Sequence, residues 1–302
     1  MLSPRYHLVT IVAIFLALGL GLLAGSSFGQ PTLVGQLQER TEAQLRRIED
    51  LRDEVDAERA RAEALASYAS ASAPLLLAGR LDGFRAVVVT QEGVPSTLET
   101  AVLDALAAAG ADVLETFAAQ ASLSGADLGD ADALGALLTG AGADGATSSP
   151  ARAGAVLGAR LATTVAPLDA GDDILRGLLD GGFLAARDGS LDEGSRLAIH
   201  ATALLVVVLG GTDADVGPLA TRPFAEALVA TLAEGGVPVA AVEATDAGDP
   251  WVADLATDAT VTVIGGDSPA GAVALVLGLA DAVATGEGGA YGGDRAPLPA
   301  VP

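Results

Sequence analysis

The chain has 302 residues, of which 39 are acidic and 16 are basic, and its formal net charge is −23. All the basic residues are arginines, and the chain has no lysine, asparagine or cysteine, which excludes a phosphate-loop lysine, a Schiff base, a thiolate nucleophile and disulfides. A pI near 4.1 argues against nucleic acid as a partner, whereas 51% hydrophobic residues and a mean hydropathy of +0.47 are typical of a chain that folds.

The N-terminal segment predicts a membrane anchor. Residues 8–25 are almost wholly apolar, and no charged residue occurs between Tyr6 and Gln38. As a helix the apolar run spans roughly 27 Å, and extension to residue 28 gives roughly 31 Å, which matches a hydrocarbon core about 30 Å thick. We therefore predict a transmembrane anchor over residues 1–30 that contacts membrane lipid through residues 8–28.

The basic residues that flank this segment predict its orientation. Arg5 precedes the apolar run and Arg40 is the next basic residue, so the positive-inside rule places the N-terminus in the cytoplasm. The interpretation is a single-pass protein of the cell membrane with an extracytoplasmic C-terminal domain, and association with the outer envelope is compatible with it. A cleaved signal peptide is the alternative, because residues 24–26 are small, although the apolar run exceeds the usual length of about 7–15 residues.

Small residues recur every four positions in the apolar run, a spacing that favours close packing of two transmembrane helices but also follows from the abundance of Gly and Ala. These residues are Ala17, Gly21, Gly25 and Gly29.

Residues 34–69 follow a heptad pattern. The a positions are Val34, Thr41, Ile48, Val55, Ala62 and Ala69, and the d positions are Leu37, Gln44, Leu51, Glu58 and Leu65. About five heptads predict a long helix and a coiled-coil stalk over residues 31–72, although the polar d residues weaken the seam. A parallel homodimer is the favoured interpretation. Packing against the chain's own globular domain, or against a different protein, is the alternative.

Beyond the small-residue stretch 67–74, strands and helices alternate. The predicted strands are residues 85–91, 111–118, 203–211, 237–243 and 259–264, and the predicted helices are residues 96–109, 222–234 and 269–285. Ser96 and Glu99 have capping-box spacing at the start of the first helix, and Gly110 ends it. Several short helices are expected within residues 121–200.

Continuous apolar strands separated by helices are typical of a parallel sheet with helices on its faces. The fold class is therefore α/β: an N-terminal transmembrane helix and coiled coil, followed by a Rossmann-like parallel sheet flanked by helices. The domains are the anchor (1–30), the stalk (31–72), the Rossmann-like domain (73–287) and a flexible tail (288–302).

Two motif matches fail the test of structural context. Residues 140–145 match the dinucleotide fingerprint but follow a helical pattern instead of a strand. Residues 25–29 match the nucleophile elbow but lie at the end of the apolar run, with no strand before them.

The loop at residues 265–269 follows a strand and opens a helix, so its main-chain N–H groups could hold an anion. Ser268 as N-cap and Pro269 at the first helical position explain it as plain helix initiation, which is the favoured interpretation.

Acidic clusters occur without EF-hand spacing and are interpreted as solvated surface: Asp127/Asp130/Asp132, Asp169/Asp172/Asp173 and Asp213/Asp215. The only imidazoles are His7 and His200, which do not make a zinc site or a catalytic triad. We therefore predict no catalytic residues, no cofactor and no enzymatic activity, and the metal ligands remain unknown.

The segments at both ends of the chain resemble the actinobacterial copper transporter (MctB) family. The N-terminal residues 5–28, with Arg5-Tyr6-His7 before the apolar run, lead directly into the heptads, as in that family. The C-terminal similarity covers residues 206–228, 236–243 and 267–292, and it includes Asp267, Gly271, Tyr291 and Gly292. The resemblance implies a membrane-attached envelope protein of copper transport or homeostasis, and it links members to envelope partners that control peptidoglycan hydrolysis at division.

The composition does not favour direct copper binding by the chain. Thiolate, thioether and imidazole ligands suit copper, whereas the chain has no cysteine, one methionine and two histidines. Three functions remain open at this point. They are a component of copper homeostasis that relies on a partner's ligands or on carboxylates, a non-catalytic envelope scaffold that binds proteins, and a carboxylate-based enzyme on the Rossmann-like domain.

Overall fold

The computed structural model describes residues 4–139, 148–165, 173–187, 193–212 and 221–293, without the side chains of residues 4–6, 26–37 and 193. The chain divides into two compact units, Met1–Leu65 and Ala66–Pro302.

A single helix, α1 (Pro4–Leu77), accounts for the described part of the first unit and the beginning of the second. Within it, residues His7–Gly25 have a mean hydropathy of 2.6 and are long and apolar enough to cross a membrane. The helical conformation predicted for the anchor and the stalk is therefore confirmed. Pairing of the stalk with a second helix stays a prediction.

The second unit is built on a seven-stranded sheet with the order β3-β2-β1-β4-β5-β6-β7. All neighbouring strands are parallel except β2 and β3, which are antiparallel. This confirms the predicted mostly parallel α/β sheet. The strands are β1 (Arg85–Gln91), β2 (Asp112–Ala119), β3 (Leu184–Ala186), β4 (Leu204–Gly210), β5 (Val239–Glu243), β6 (Thr260–Ile264) and β7 (Gly289–Tyr291).

Helices cover both faces of this sheet and enclose two separate apolar cores. The helices are α2 (Ser96–Ala108), α3 (Leu128–Leu137), α4 (Ser149–Leu161), α5 (Ile174–Asp180), α6 (Glu193–Leu197), α7 (Arg222–Glu234) and α8 (Pro269–Thr285), and two 3-10 helices occupy Ala121–Ser124 and Val252–Leu255. Helices α2 and α8 pack on one face, and α3, α4, α5 and α7 pack on the other. In β1, Val87 and Val89 therefore face one core while Ala86 and Val88 face the other, which explains why the strand is apolar throughout.

Helices α4 and α7 approach each other closely in the core that also contains α3 and α5. A Cβ atom at Gly154 of α4 would collide with the main-chain oxygen of Phe224 in α7, and one at Gly158 would lie 2.9 Å from Thr231 Cβ. The two glycines, four residues apart, thus let the backbones of α4 and α7 come together.

The capping box predicted at α2 is wrong. Pro95 is the N-cap residue, no side chain caps the helix, and Ser96 is already helical. Glu99 instead accepts a hydrogen bond from Arg187 Nη1 at 2.8 Å. The cause is Pro95, whose fixed backbone angle suits the N-terminal boundary and moves the start of the helix one residue earlier than the capping motif requires.

Two edge strands were not predicted. Strand β3 lies within residues 121–200, where only helices were expected, and β7 lies at the start of the segment predicted as a tail. Each has three residues, too few for a periodic pattern to emerge. Strand β7 pairs with β6, and a Cβ atom at Gly288 would collide with the Thr260 backbone, so a glycine is needed for that close approach.

Candidate functional site

In an open parallel sheet the usual ligand site is the crevice at the carboxyl ends of the strands, where the strand order reverses. Here that point lies between β1 and β4, since β1 leads to β2 through α2 on one face and β4 leads to β5 through α7 on the other. The ends of β1, β4, β5 and β6 therefore border the candidate site.

Among the described residues, a buried glutamine links the carboxyl ends of β1 and β4 to the start of α7. Gln91 Nε2 donates to the Leu209 main-chain oxygen at 3.1 Å, and Gln91 Oε1 accepts from Thr221 Oγ1 at 2.9 Å. Gln91 is 1% exposed and Thr221 is 4% exposed. This pair therefore satisfies the side-chain amide of Gln91 and links the start of α7 to β1.

A buried carboxyl group lies at the end of β5. Glu243 is 1% exposed, and its Oε2 accepts hydrogen bonds from the main-chain N–H groups of Trp251 and Val252, both at 3.1 Å. Burial raises the pKa of Glu243, and the two main-chain hydrogen bonds oppose this shift. Glu243 thus caps the 3-10 helix Val252–Leu255 from inside the protein, a positional role that accounts for its burial.

Trp251 packs over the end of β4. A Cβ atom at Gly210 would lie 2.7 Å from Trp251 Cζ2, so the glycine creates the space for the indole ring. The guanidinium carbon of Arg222 is 5.9 Å from the ring centroid, and Arg222 also pairs with Glu226 at 2.7 Å and Asp249 at 3.7 Å. Arg222 thus joins the indole ring to two acidic residues through a cation–π contact and ion pairs.

The loop at the start of α8 forms helix-initiating hydrogen bonds, as predicted. Ser268 Oγ accepts from the Gly271 N–H at 3.0 Å, and Asp267 Oδ1 accepts from the Thr245 N–H at 2.9 Å. The N–H groups of Gly265 and Gly266 both donate to the Glu243 main-chain oxygen. The N–H groups of Gly265, Gly266 and Gly271 therefore bond within the protein, and the prediction of Ser268 as N-cap with Pro269 in the first turn is confirmed.

The residues that carry the resemblance at this end have structural roles. A Cβ atom at Gly271 would collide with the Gly265 main-chain oxygen, and one at Gly292, where φ is +83°, would collide with the Ile264 main-chain oxygen. Tyr291 is buried in β7, against Gly278 of α8.

One acidic residue expected at the solvated surface is buried instead. Asp173 is 7% exposed, and its Oδ2 accepts a hydrogen bond from Arg160 Nε at 2.8 Å. Its Oδ1 accepts from the Leu175 N–H at 2.9 Å, so Asp173 also caps α5. The interpretation as solvated surface is wrong for Asp173, because an arginine from another helix neutralises it.

The other predicted site residues are not brought together. Asp127 caps α3 through the Gly129 N–H, and His200 Nδ1 lies 2.6 Å from the Ala198 main-chain oxygen. His7 is exposed on α1, and residues 25–29 are helical, without the strand that a nucleophile elbow requires. The fingerprint match at 140–145 and the residues Asp169, Asp172, Asp213 and Asp215 lie outside the described residues.

Within the described ranges, no group of three or more His, Cys, Asp or Glu residues is arranged to hold a metal ion. The polar residues that sequence reasoning missed are Gln91, Thr221, Glu243 and Arg222. An isolated polar residue at the end of an apolar strand, such as Gln91 or Glu243, is the signal that could have found two of them.

The described residues thus form a doubly wound, mostly parallel α/β sheet, and they include an N-terminal helix that is long and apolar enough to cross a membrane. The chain belongs to the MctB family, described as copper transport outer membrane protein, whose family model matches residues 1–302. The resemblance found in the sequence is thus confirmed, and it indicates a copper transport-related membrane protein. No curated protein matches the chain.

Proposed function

We propose that the chain is a membrane-attached, non-catalytic scaffold in copper transport or homeostasis, which acts through partner proteins and not through a copper site of its own. The observation that carries this proposal is an unpartnered apolar seam on the first unit. At successive a and d positions of the stalk, Ile48 is 45% exposed, Leu51 is 50% exposed and Val55 is 46% exposed. Branched apolar side chains at heptad spacing are the surface that a second helix covers in a coiled coil.

The proposed occupant of this seam is a second copy of the chain in parallel orientation. Anchors at the same end of both copies would start the two stalks in register. At the g and e positions, which face each other in a parallel dimer, Glu54 would meet the partner's Arg59, whereas Arg47 would meet the partner's Arg52. Each pair occurs twice in the dimer, and the balance of two favourable and two like-charge pairs favours a dimer of moderate affinity that can also accept other envelope proteins, such as regulators of peptidoglycan hydrolysis.

In the proposed topology, residues 8–28 lie in lipid, the N-terminus is cytoplasmic and the second unit is extracytoplasmic.

The absence of cysteine from the sequence allows a direct test of the seam. Leu51→Cys places a single thiol in the seam, and Asp53→Cys places one at an f position on the outer face. Under mild oxidation of intact cells, we expect Leu51→Cys to give a disulfide-linked dimer and Asp53→Cys to give none. Equal cross-linking of both variants, or none of either, would contradict the proposed pairing.

The copper role is tested separately. Deletion of the gene is expected to change cellular copper content, while titration of the purified chain with copper shows no stoichiometric site. A stoichiometric site, or unchanged copper content on deletion, would contradict the proposal. Protease accessibility of the second unit in intact and in permeabilised cells checks the topology.

A further inference from the structure

The C-terminal turns of α1, residues 66–77, belong to the second unit and have two apolar sides. One side packs on the chain's own core. There Leu77 is 3% exposed in the core that contains α2 and α8, and Ala73, one turn earlier, is half-buried against the same core. On the other side, Tyr68 is 75% exposed and Leu75 is 85% exposed. An apolar helix face that the chain's own core leaves uncovered is typical of an interaction surface.

The uncovered side forms one continuous face. Tyr68, Ala71, Ser72 and Leu75 follow one another at intervals of three and four residues, so they lie on the same side of the helix, and we call them the Tyr68 face. Ser72 Oγ donates to the Tyr68 main-chain oxygen at 2.9 Å. A partner that covers Ser72 therefore leaves no unpaired hydroxyl donor there.

The Tyr68 face lies in a stretch without charge. No charged residue occurs between Glu63 and Arg80, although the chain has a net charge of −23 and residues 73–302 carry nine arginines against 30 acidic residues. Two copies that met through their acidic surfaces would repel each other, whereas two copies of the Tyr68 face bring no like charges together. A basic partner would gain more from the acidic surface than from an uncharged face. The charge distribution thus favours a second copy of the chain as the occupant.

The heptad register indicates which positions the second copy can reach. When the register of residues 34–69 is continued, Tyr68 and Leu75 are at g positions, Ser72 is at a d position and Ala73 is at an e position. In an ordinary parallel coiled coil, g residues meet e residues of the partner helix. Here Ala73 is half-buried against the chain's own core, so the open side is formed by the d and g positions. The contact therefore moves from the a and d positions to the d and g positions in these turns.

We infer that the Tyr68 face binds the Tyr68 face of a second copy, in parallel orientation about a two-fold axis. A contact of this symmetry joins the same surface of both copies, and parallel helices anchored at the same end bring equal positions to the same level. Tyr68 and Leu75 each lie opposite their own counterpart. The inference rests on the proposed pairing of the stalk and specifies how that pairing continues to the end of α1.

Single cysteines test this contact directly, because the chain has none of its own. Leu75→Cys places a thiol on the Tyr68 face, and Ser70→Cys places one at an exposed position on another side of the same helix. Under mild oxidation of membranes that contain the full chain, we expect Leu75→Cys to give a disulfide-linked dimer and Ser70→Cys to give none. In an ordinary coiled coil the two g positions lie on opposite sides of the pair, so linkage at position 75 is specific to the inferred contact.

An introduced charge tests the same face without a covalent link. Leu75→Glu should weaken self-association of the full chain in detergent micelles by at least about tenfold, because two carboxylates would meet in the contact. Ser70→Glu adds the same charge elsewhere on the helix and should change it little. Both are measured by sedimentation. Because both positions are exposed, the variants should fold, which the fluorescence of the single tryptophan, Trp251, verifies.

The inference is overturned if Leu75→Cys and Ser70→Cys cross-link equally, if neither does, or if Leu75→Cys links to a different protein instead of a second copy. It is also overturned if Leu75→Glu leaves self-association unchanged. If any of these results occurs while Leu51→Cys still cross-links, only the contact at the Tyr68 face fails and the proposed pairing of the stalk stands. If Leu51→Cys does not cross-link either, both fail.

Discussion

Replacement of Arg160 with alanine should destabilise the second unit strongly. Arg160 Nε donates to Asp173, while Nη1 and Nη2 donate to the main-chain oxygens of Ile199 at 2.7 Å and Leu197 at 2.6 Å. The Arg160 side chain is 9% exposed and that of Asp173 is 0% exposed, so the variant would leave a buried carboxylate without its counter-ion. Removal of one partner from a buried ion pair costs about 3–5 kcal/mol.

For a folded unit of this size, that loss lowers Tm by about 6–20 °C. The measurement is thermal unfolding followed by the fluorescence of Trp251, which is 1% exposed in the second unit. Arg80→Ala, which removes an exposed arginine, is the control and should change Tm by less than about 2 °C.

A second variant separates the buried charge from the hydrogen bonds. Asp173→Asn keeps an oxygen that can accept from the Leu175 N–H and removes the negative charge. Arg160→Ala combined with Asp173→Asn should therefore be more stable than Arg160→Ala alone, by about 1–2 kcal/mol. If the double variant is less stable than Arg160→Ala, or if Arg160→Ala costs under about 1 kcal/mol, the reasoning from a buried, uncompensated carboxylate is refuted.

Three further changes probe other parts of the molecule. Gly154→Ala should cost about 1–3 kcal/mol in denaturant unfolding because α4 and α7 must separate, whereas Gly135→Ala, with open space around it, should be neutral or add up to about 1 kcal/mol. Burial raises the pKa of Glu243 above its value in the unfolded chain, so the free energy of unfolding falls as pH rises through the range just above the ordinary glutamate pKa. Glu243→Gln should remove this fall. A variant with the same pH profile of stability as the parent chain would contradict the prediction. Arg52→Glu should convert the two like-charge contacts between Arg47 and Arg52 of the dimer into ion pairs. Self-association should then strengthen by about 0.5–2 kcal/mol in sedimentation experiments at low salt. Weaker association would argue against a parallel dimer.

Local patterns predicted the regular elements well. The bounds of β1, α7 and α8 agree with prediction, because apolar runs, Pro at the first turn and Gly after the last turn mark these elements within a few residues. The other four predicted strands differ by only one or two residues at their ends.

Contacts between distant residues could not be predicted in this way. Gln91 and Thr221 are 130 positions apart, and the pairing of Arg196 with Glu115 spans 81 positions. In the sequence, Asp173 belongs to an acidic cluster that resembles solvated surface. Its counter-ion, Arg160, comes from another helix and reaches Asp173 only in the folded chain. Strand β3 could not be predicted either, because its three residues carry no periodic signal of their own.

Both margins of the sheet, β3 and β7, are only three residues long. Brief terminal strands present few free amide and carbonyl groups, so they are poor templates for uncontrolled association with neighbouring molecules. If copies of the chain pair through their stalks as proposed, this brevity keeps two neighbouring sheets from joining edge to edge and restricts self-association to α1.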